Sequence, residues 1–227
     1  MWNMNLHIHS KYSDGIFSIQ ELVEAAIHYG ITPIGFADHY LTMKTTSLDN
    51  NSLKFYLSEI NKLKKRCYDV IEIYAGVEID CTHSEFRPDE YNYELLNNLD
   101  FVLLEYVNDR VHDGISLYNL LPMLEKLKVP AGLAHNDIGK NFEGIDPKVL
   151  AEFLANNKIF VELDTSRRHR RFDAPYYRLA RDFFRDYGHM IKLSIGSDLH
   201  TEIEEIANIG DAVSFVKSLK LEKSLLF

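Results

Sequence analysis

The stretch Asn5-Leu6-His7-Ile8-His9-Ser10, with Ser13-Asp14-Gly15 close behind, carries two histidines two residues apart. On an extended strand that spacing sends both imidazoles to one face. Neutral imidazole is the commonest protein ligand for a transition metal, and two on one face fix two coordination directions. An ordinary half-exposed strand bearing two histidines shows the same short pattern. The ends of the later strands decide between these readings.

Working outward, the chain repeats a short apolar strand, a polar turn and a helix. After the strand at 5–9, a helix begins at Ser18, where Glu21 completes a capping box, and it stops near Gly30. The strand at 33–37 runs into Asp38-His39, and leucine and isoleucine spacing predicts a helix through 55–65. A strand at 71–79 carries Glu78, a short helix falls near 91–98, and the strand at 101–107 is interrupted by Glu105. Residues 117–127 read as a helix that Pro122 kinks or restarts. The strand at 131–134 ends in His135, and Asp146-Pro147 opens a helix. A strand at 159–163 and a helix over 175–187 follow. The strand at 192–195 leads into Gly196-Ser197-Asp198-Leu199-His200, and the last helices open on a second capping box, Thr201 and Glu204.

Near-continuous apolar strands alternating with helices imply a parallel sheet covered on its faces. A closed barrel and an open doubly wound sheet share this pattern. The polar residues separate them. His9, His39, Glu78, Glu105, His135 and Asp198 each fall at or near the C-terminal end of a different strand. Along an open sheet those ends form a line, whereas in a barrel they ring one mouth, where such enzymes keep their chemistry. The expected architecture is a closed barrel of seven β-α units with these polar residues around its C-terminal mouth.

At 227 residues and 26.3 kDa the chain suits one domain, 1–227. Its 46% hydrophobic and 26% charged content is that of a globular protein with a full core. No apolar run approaches the roughly 18–20 residues that span a membrane, and the start lacks the pattern of a signal peptide. Two cysteines, Cys67 and Cys81, are too few for a disulfide framework, which makes a reducing cytoplasm the expected compartment. A net charge of −9 argues against duplex nucleic acid as a partner, and nothing in the sequence sets the oligomeric state.

Taken together, His7-x-His9 with Asp14-Gly15, Ala37-Asp38-His39, Gly76-Val77-Glu78, Leu133-Ala134-His135 and the run from Ser194 to His200 resemble the PHP (polymerase and histidinol phosphatase) family of metal-dependent phosphoesterases. The resemblance covers nearly the whole chain. It implies a distorted (β/α)7 TIM-like barrel with a metal site at the C-terminal mouth, holding two to three divalent ions, Mn, Zn or Fe. By position, one ion takes His7, His9, Glu78 and Asp198, a second shares Glu78 and adds His135, and a third takes Asp14, His39 and His200. A carboxylate has two oxygens with which to bridge two cations. Many members of the family place a histidine at the end of the fourth strand, where this chain has Glu105. Glu105 resembles the metal ligand of the capsule-regulating tyrosine phosphatase branch. A carboxylate inside Phe-Val-Leu-Leu-Glu-Tyr-Val is costly to bury unpaired, and a cation is its natural partner. That extra carboxylate shifts the site toward harder metals such as Mn²⁺.

Arg167-Arg168-His169-Arg170-Arg171-Phe172-Asp173 leaves the catalytic end of a strand, where a guanidinium can grip phosphate with two hydrogen bonds. Arg171 is the first candidate for phosphate binding and Arg168 the second; a solvated charge run is the plainer reading of the segment. His28 and His189 read as surface residues, and His83 and His112 as loop residues near the mouth. Cys81 has no activating base nearby in sequence.

The expected activity is hydrolysis of a phosphomonoester of a small molecule, such as histidinol phosphate or a nucleotide. The attacking group is a metal-bound hydroxide held by the ions of Glu78, His135 and Asp198. Rival readings are a phosphotyrosine-protein phosphatase of the same fold, suggested by Glu105, a metal-dependent amidohydrolase, and a non-catalytic module of a larger assembly. Amidohydrolases commonly bridge their metals with a lysine on the fourth strand, where this chain has none.

Overall fold

Six parallel strands lie side by side in the order in which they occur in the chain: β1 (Ile34–His39), β2 (Ile73–Asp80), β3 (Val102–Glu105), β4 (Ala131–Leu133), β5 (Ile159–Asp164) and β6 (Leu193–Gly196). The computed structural model describes residues 3–166 and 175–227. The basic run with Arg168 and Arg171 lies outside the described residues. Nearly every strand residue is buried, as expected of a sheet covered on both faces.

The stretch at 5–9 closes the sheet on itself without forming a regular ladder. On one edge it pairs with β1 through Gly35 N–H to Asn5 O at 2.8 Å and Ala37 N–H to Ile8 O at 3.0 Å. On the other it meets the β6 side through Leu6 N–H to Ile195 O at 2.7 Å and His9 N–H to Leu199 O at 2.9 Å. Only isolated bridges result, Asn5 with Ile34 and Ile8 with Leu199. The Asn5 side chain adds hydrogen bonds beyond β6. Its amide donates to Ser197 Oγ at 2.8 Å and to Ile206 O at 3.0 Å, and its carbonyl accepts from Ser197 N–H. The expected strand is thus a stave of the barrel, held from both sides by single bonds.

Helices surround the sheet. In α1 (Ile19–Tyr29) the capping box of Ser18 and Glu21 forms, and Gly30 ends the helix at φ 68°, a left-handed conformation that costs glycine nothing. In α2 (Ser52–Arg66) Leu53, Tyr56, Leu57, Ile60 and Leu63 make one buried stripe. The expected helix at 91–98 is the single turn α3 (Tyr93–Leu96), capped by Asn92. The expected helix at 117–127 is split: a 3₁₀ turn at Leu117–Leu120 leads into α4 (Leu121–Leu124). Pro122 sits in the first turn of α4, where its missing N–H costs no helical bond. After α5 (Ile138–Asn141), α6 (Pro147–Asn156) starts on Asp146, whose carboxylate accepts from the backbone of Lys148 and Val149. Then come α7 (Pro175–Tyr187) and α8 (Gly210–Leu219).

The second expected capping box is not formed. Glu202, not Thr201, precedes a 3₁₀ helix at Ile203–Ala207, and no side chain caps it. A 3₁₀ turn does not stack its ends as an α-helix does, so the Thr201 and Glu204 spacing loses its geometric meaning. Inside the barrel, large and small residues alternate. Phe101 and Phe160 meet edge to face with centroids 6.3 Å apart, and a Cβ on Gly132 would come within 2.1 Å of the Phe160 ring.

Candidate metal centre

Because the strands are parallel, their C-terminal ends open on one mouth. The register sets neighbours there: His39 lies beside Glu78, and Asp80 beside Glu105. Glu78 and Asp80 are two apart on β2 and so face the same way. His135 follows β4 by two residues, and Asp198 and His200 follow β6. His135 at φ 31°, Asp198 at φ 51° and Tyr106 at φ 61°, just past β3, adopt the left-handed region that non-glycine residues rarely take. Strain of this kind collects at functional sites, where the surrounding structure holds it.

Four donor atoms converge most tightly. His7 Nε2 and His9 Nε2 are 3.0 Å apart. Glu78 Oε2 lies 3.5 and 3.4 Å from them, and Asp198 Oδ1 lies 3.6 and 3.2 Å from them. Ligands about 2.0–2.2 Å from a tetrahedral ion stand about 3.3–3.6 Å from one another. His7, His9 and Asp198 therefore outline a candidate cation site, with Glu78 Oε2 beside both imidazoles. A second cluster surrounds the other Glu78 oxygen: His135 Nε2 is 3.0 Å from Glu78 Oε1 and 3.6 Å from Glu105 Oε2. A third gathers about Asp14, whose Oδ1 lies 3.2 Å from His200 Nε2 and 3.4 Å from His9 Nδ1, and whose Oδ2 lies 3.7 Å from His39 Nε2.

Two histidines reach across clusters. His9 turns Nε2 to Glu78 and Asp198 and Nδ1 to Asp14. His39 turns Nε2 to Asp14, and its Nδ1 lies 3.3 Å from Glu78 Oε2 and 4.0 Å from Glu105 Oε1. One imidazole nitrogen cannot bridge two ions, but the two nitrogens of one ring face two of them. This changes the expected division, in which His39 belonged to the third group alone.

The chemistry of the donors fits divalent ions. His7 Nδ1 donates to Glu162 Oε1 at 2.9 Å, which leaves a lone pair on Nε2, aimed into the first cluster. His200 Nδ1 donates to the Asp198 carbonyl at 2.8 Å, leaving its Nε2 lone pair toward Asp14. His39 Nδ1 is buried with no hydrogen bond. Such a set is costly to bury without a positive charge at its centre. Protons partly serve in that place. Burial opposes charge on His9, yet its hydrogen bonds to Asp198 and Glu78 raise its pKa to about 10. Burial likewise opposes charge on His7, and Glu162 and Glu78 more than offset it. For His39 burial prevails and the pKa falls to about 4. Burial, reinforced by the charge of Glu78, holds the Glu105 carboxyl well above the usual range. Among the described residues, three sets satisfy metal-ligand distances: His9, Asp14, His39 and His200; His7, His9 and Asp198; and His39, Glu78 and Glu105.

Supporting groups lie behind the donors. Buried Asp38 accepts from Ser10 N–H and Oγ at 2.8 Å each and from Ser13 Oγ at 2.7 Å, fixing the turn that carries Asp14. Glu162 also accepts from His135 N–H at 2.7 Å. The sequence reading passed over Glu162, although it interrupts an apolar strand just as Glu105 does. A Cβ on Gly196 would fall 2.1 Å from Glu162 Oε1 and 2.4 Å from His7 Cβ, so only glycine lets these two meet. His83 and His112 are exposed and bond to Asp113 O and Asp109, outside the three sets. His28 and His189 are exposed. Burial pushes the Cys81 thiol up, which opposes any role as nucleophile.

Comparisons with known proteins bear on the fold and the family. The fold is similar to that of the histidinol phosphate phosphatase HisK from Lactococcus lactis, a structure complexed with zinc, L-histidinol and phosphate. That similarity has a TM-score of 0.68 at 19% identity, over 96% of this chain and 93% of that one. A putative histidinol phosphatase from Listeria monocytogenes is similar with a TM-score of 0.58 at 16% identity, over 89% of this chain and 97% of that one. In sequence, 103 residues are 34% identical to the DNA polymerase/3′-5′ exonuclease PolX of Bacillus subtilis, a match over 44% of this chain that spans 17% of that protein's length. The PHP domain family model matches residues 5–220. The chain belongs to the PHP domain family.

Proposed function

We propose that the chain removes phosphate from phosphomonoesters of small molecules, using two to three divalent ions, Mn, Zn or Fe, at the barrel mouth. The observation that carries this reading is Glu78, whose two oxygens face two donor clusters, one with His7, His9 and Asp198 and one with His135 and Glu105. Bound there, the ions supply Lewis acidity and an activated water. The chain's own part is to hold them. His7, His9, Glu78 and Asp198 serve one ion, Glu78, Glu105 and His135 a second, with His39 Nδ1 beside them, and Asp14, His39 and His200 a third.

These donors come from separate strands, so the packed barrel fixes their separations before any ligand arrives. The cavity above them is about 270 Å³, a size that favours a phosphoryl group with a small leaving group. Histidinol phosphate is a candidate because the similar structure from Lactococcus lactis holds L-histidinol and phosphate. No helix among the described residues is long and apolar enough to cross a membrane. A cytoplasmic enzyme acting on a free metabolite is the corresponding proposal for place and partner.

The test is a substrate screen on protein reloaded with Mn²⁺, Zn²⁺ or Fe²⁺. Turnover of a small phosphomonoester above that of phosphodiesters and phosphotyrosine peptides is the expected result. A preference for phosphotyrosine peptides would move the assignment to the protein phosphatase reading, and preference for a diester would overturn it.

A further inference from the structure

Lys44 sits in the loop after β1 and lines the metal-site cavity, where it is the one lysine or arginine among the described lining residues. Its ammonium lies 2.6 Å from Asp80 Oδ2 and 3.0 Å from Thr82 Oγ1, and it stands 5.1 Å over the ring of Tyr106. The Tyr106 ring in turn lies 6.1 Å from that of His135. Asp80 follows Glu78 by two residues on the same face of β2, so it stands about 6.6 Å further toward the mouth. The ammonium therefore occupies the layer directly above the carboxylate that joins the two metal clusters.

The position is built. Glu85 accepts from Met43 N–H at 2.7 Å and from Thr42 Oγ1 at 3.2 Å, and Thr45 Oγ1 donates to Asp14 Oδ2 at 3.3 Å. Both sides of Lys44 are thereby tied down. Asp80 is 2% exposed, whereas the lysine side chain is 44% exposed. An ammonium has three N–H donors. Thr82 accepts one of them and Asp80 pairs with the charge, which leaves donor capacity for a ligand in the cavity.

We propose that Lys44 is a substrate-binding cation that grips an oxygen of the phosphoryl group from the side facing the mouth. The inference rests on the phosphoesterase reading of the site. It narrows the substrate class: a fixed positive charge in this layer favours the dianionic phosphate of a monoester over the single charge of a diester. Asp80 acts as a positioning residue, holding the ammonium in place so that little side-chain freedom is lost on binding.

The test uses the metal-loaded chain, Lys44→Met and Lys44→Arg, with inorganic phosphate as the probe. Calorimetry measures phosphate affinity, elemental analysis measures metal content, and kinetics measures KM and kcat for a monoester and a diester. The expected result is phosphate binding at least tenfold weaker in Lys44→Met with metal content unchanged, a raised KM for the monoester, and retention within about threefold in Lys44→Arg. Equal phosphate affinity in Lys44→Met and the parent would overturn the proposal, even with a lower Tm, since a purely structural ion pair with Asp80 gives that pattern. If Lys44→Met does not fold, equal loss of phosphate binding in Lys44→Arg and Lys44→Ala counts against it. A metal-loaded parent chain that neither binds phosphate nor hydrolyses any phosphoester would refute the underlying reading of the site instead.

Discussion

Glu162 and His7 are joined by a 2.9 Å hydrogen bond across 155 residues of sequence, and both are fully buried. The other Glu162 oxygen accepts from His135 N–H at 2.7 Å. One carboxylate behind the donors thus orients His7 in the first cluster and anchors the backbone of His135 in the second. Outer groups of this kind set ring orientation and the nitrogen that carries the proton.

Replacing Glu162 with Gln is expected to weaken metal binding by about 10–100-fold while leaving the barrel folded. A chelator competition on the purified variant measures this. Unchanged affinity would reduce Glu162 to a buried polar group with no bearing on the site.

Gly196→Ala reaches the same relationship from the backbone. Its methyl group would overlap Glu162 Oε1 and His7 Cβ, so a stability loss of about 1–3 kcal/mol is expected from overpacking. The loss of metal should exceed that of Glu162→Gln, because both partners must shift. Denaturant unfolding with parallel elemental analysis checks both effects.

Protein prepared without chelator should carry more than one divalent ion per chain, since three donor groups converge at the mouth. Stripping the ions should lower the Tm, because a ligand that binds only the folded state stabilises it. A chain that cannot be reloaded with Mn²⁺, Zn²⁺ or Fe²⁺ would contradict the metal assignment.

Glu78→Gln keeps the size of the side chain and removes the charge that two clusters share. Turnover should fall by orders of magnitude and more than one ion should be lost, because a bridging carboxylate offsets the repulsion between neighbouring cations. Glu105→Gln should weaken only the ion beside His135 and lower turnover less. If Glu78→Gln keeps a full complement of metal and near-normal turnover, the arrangement of the clusters is wrong.

His39→Asn distinguishes the two divisions of the donors. With Nε2 toward Asp14 and Nδ1 toward Glu78, its loss should reduce occupancy at two positions. Loss of a single ion would restore the simpler assignment in which His39 serves the Asp14 group alone.

The sequence by itself determined the kind of barrel and the kinds of donor at its mouth. Apolar runs separated by capped helices define β-α units, and side-chain alternation puts His7 with His9, and Glu78 with Asp80, on common faces. Glu105 was legible because a carboxylate in an apolar strand needs a partner. These are local properties, decided within a few residues of chain. Glu162 gave the same signal, yet its meaning depends on His7, which only barrel closure brings near. The stave at 5–9 pairs through isolated bridges, and the Asn5 amide bonds Ser197, 192 residues away. The pairing of Lys44 with Asp80 and the two-sided reach of His9 and His39 likewise follow from register and loop path. Which donors meet is a matter of distances across the mouth, and those are set by how the strands pack, after the local pattern has already placed each side chain on its face.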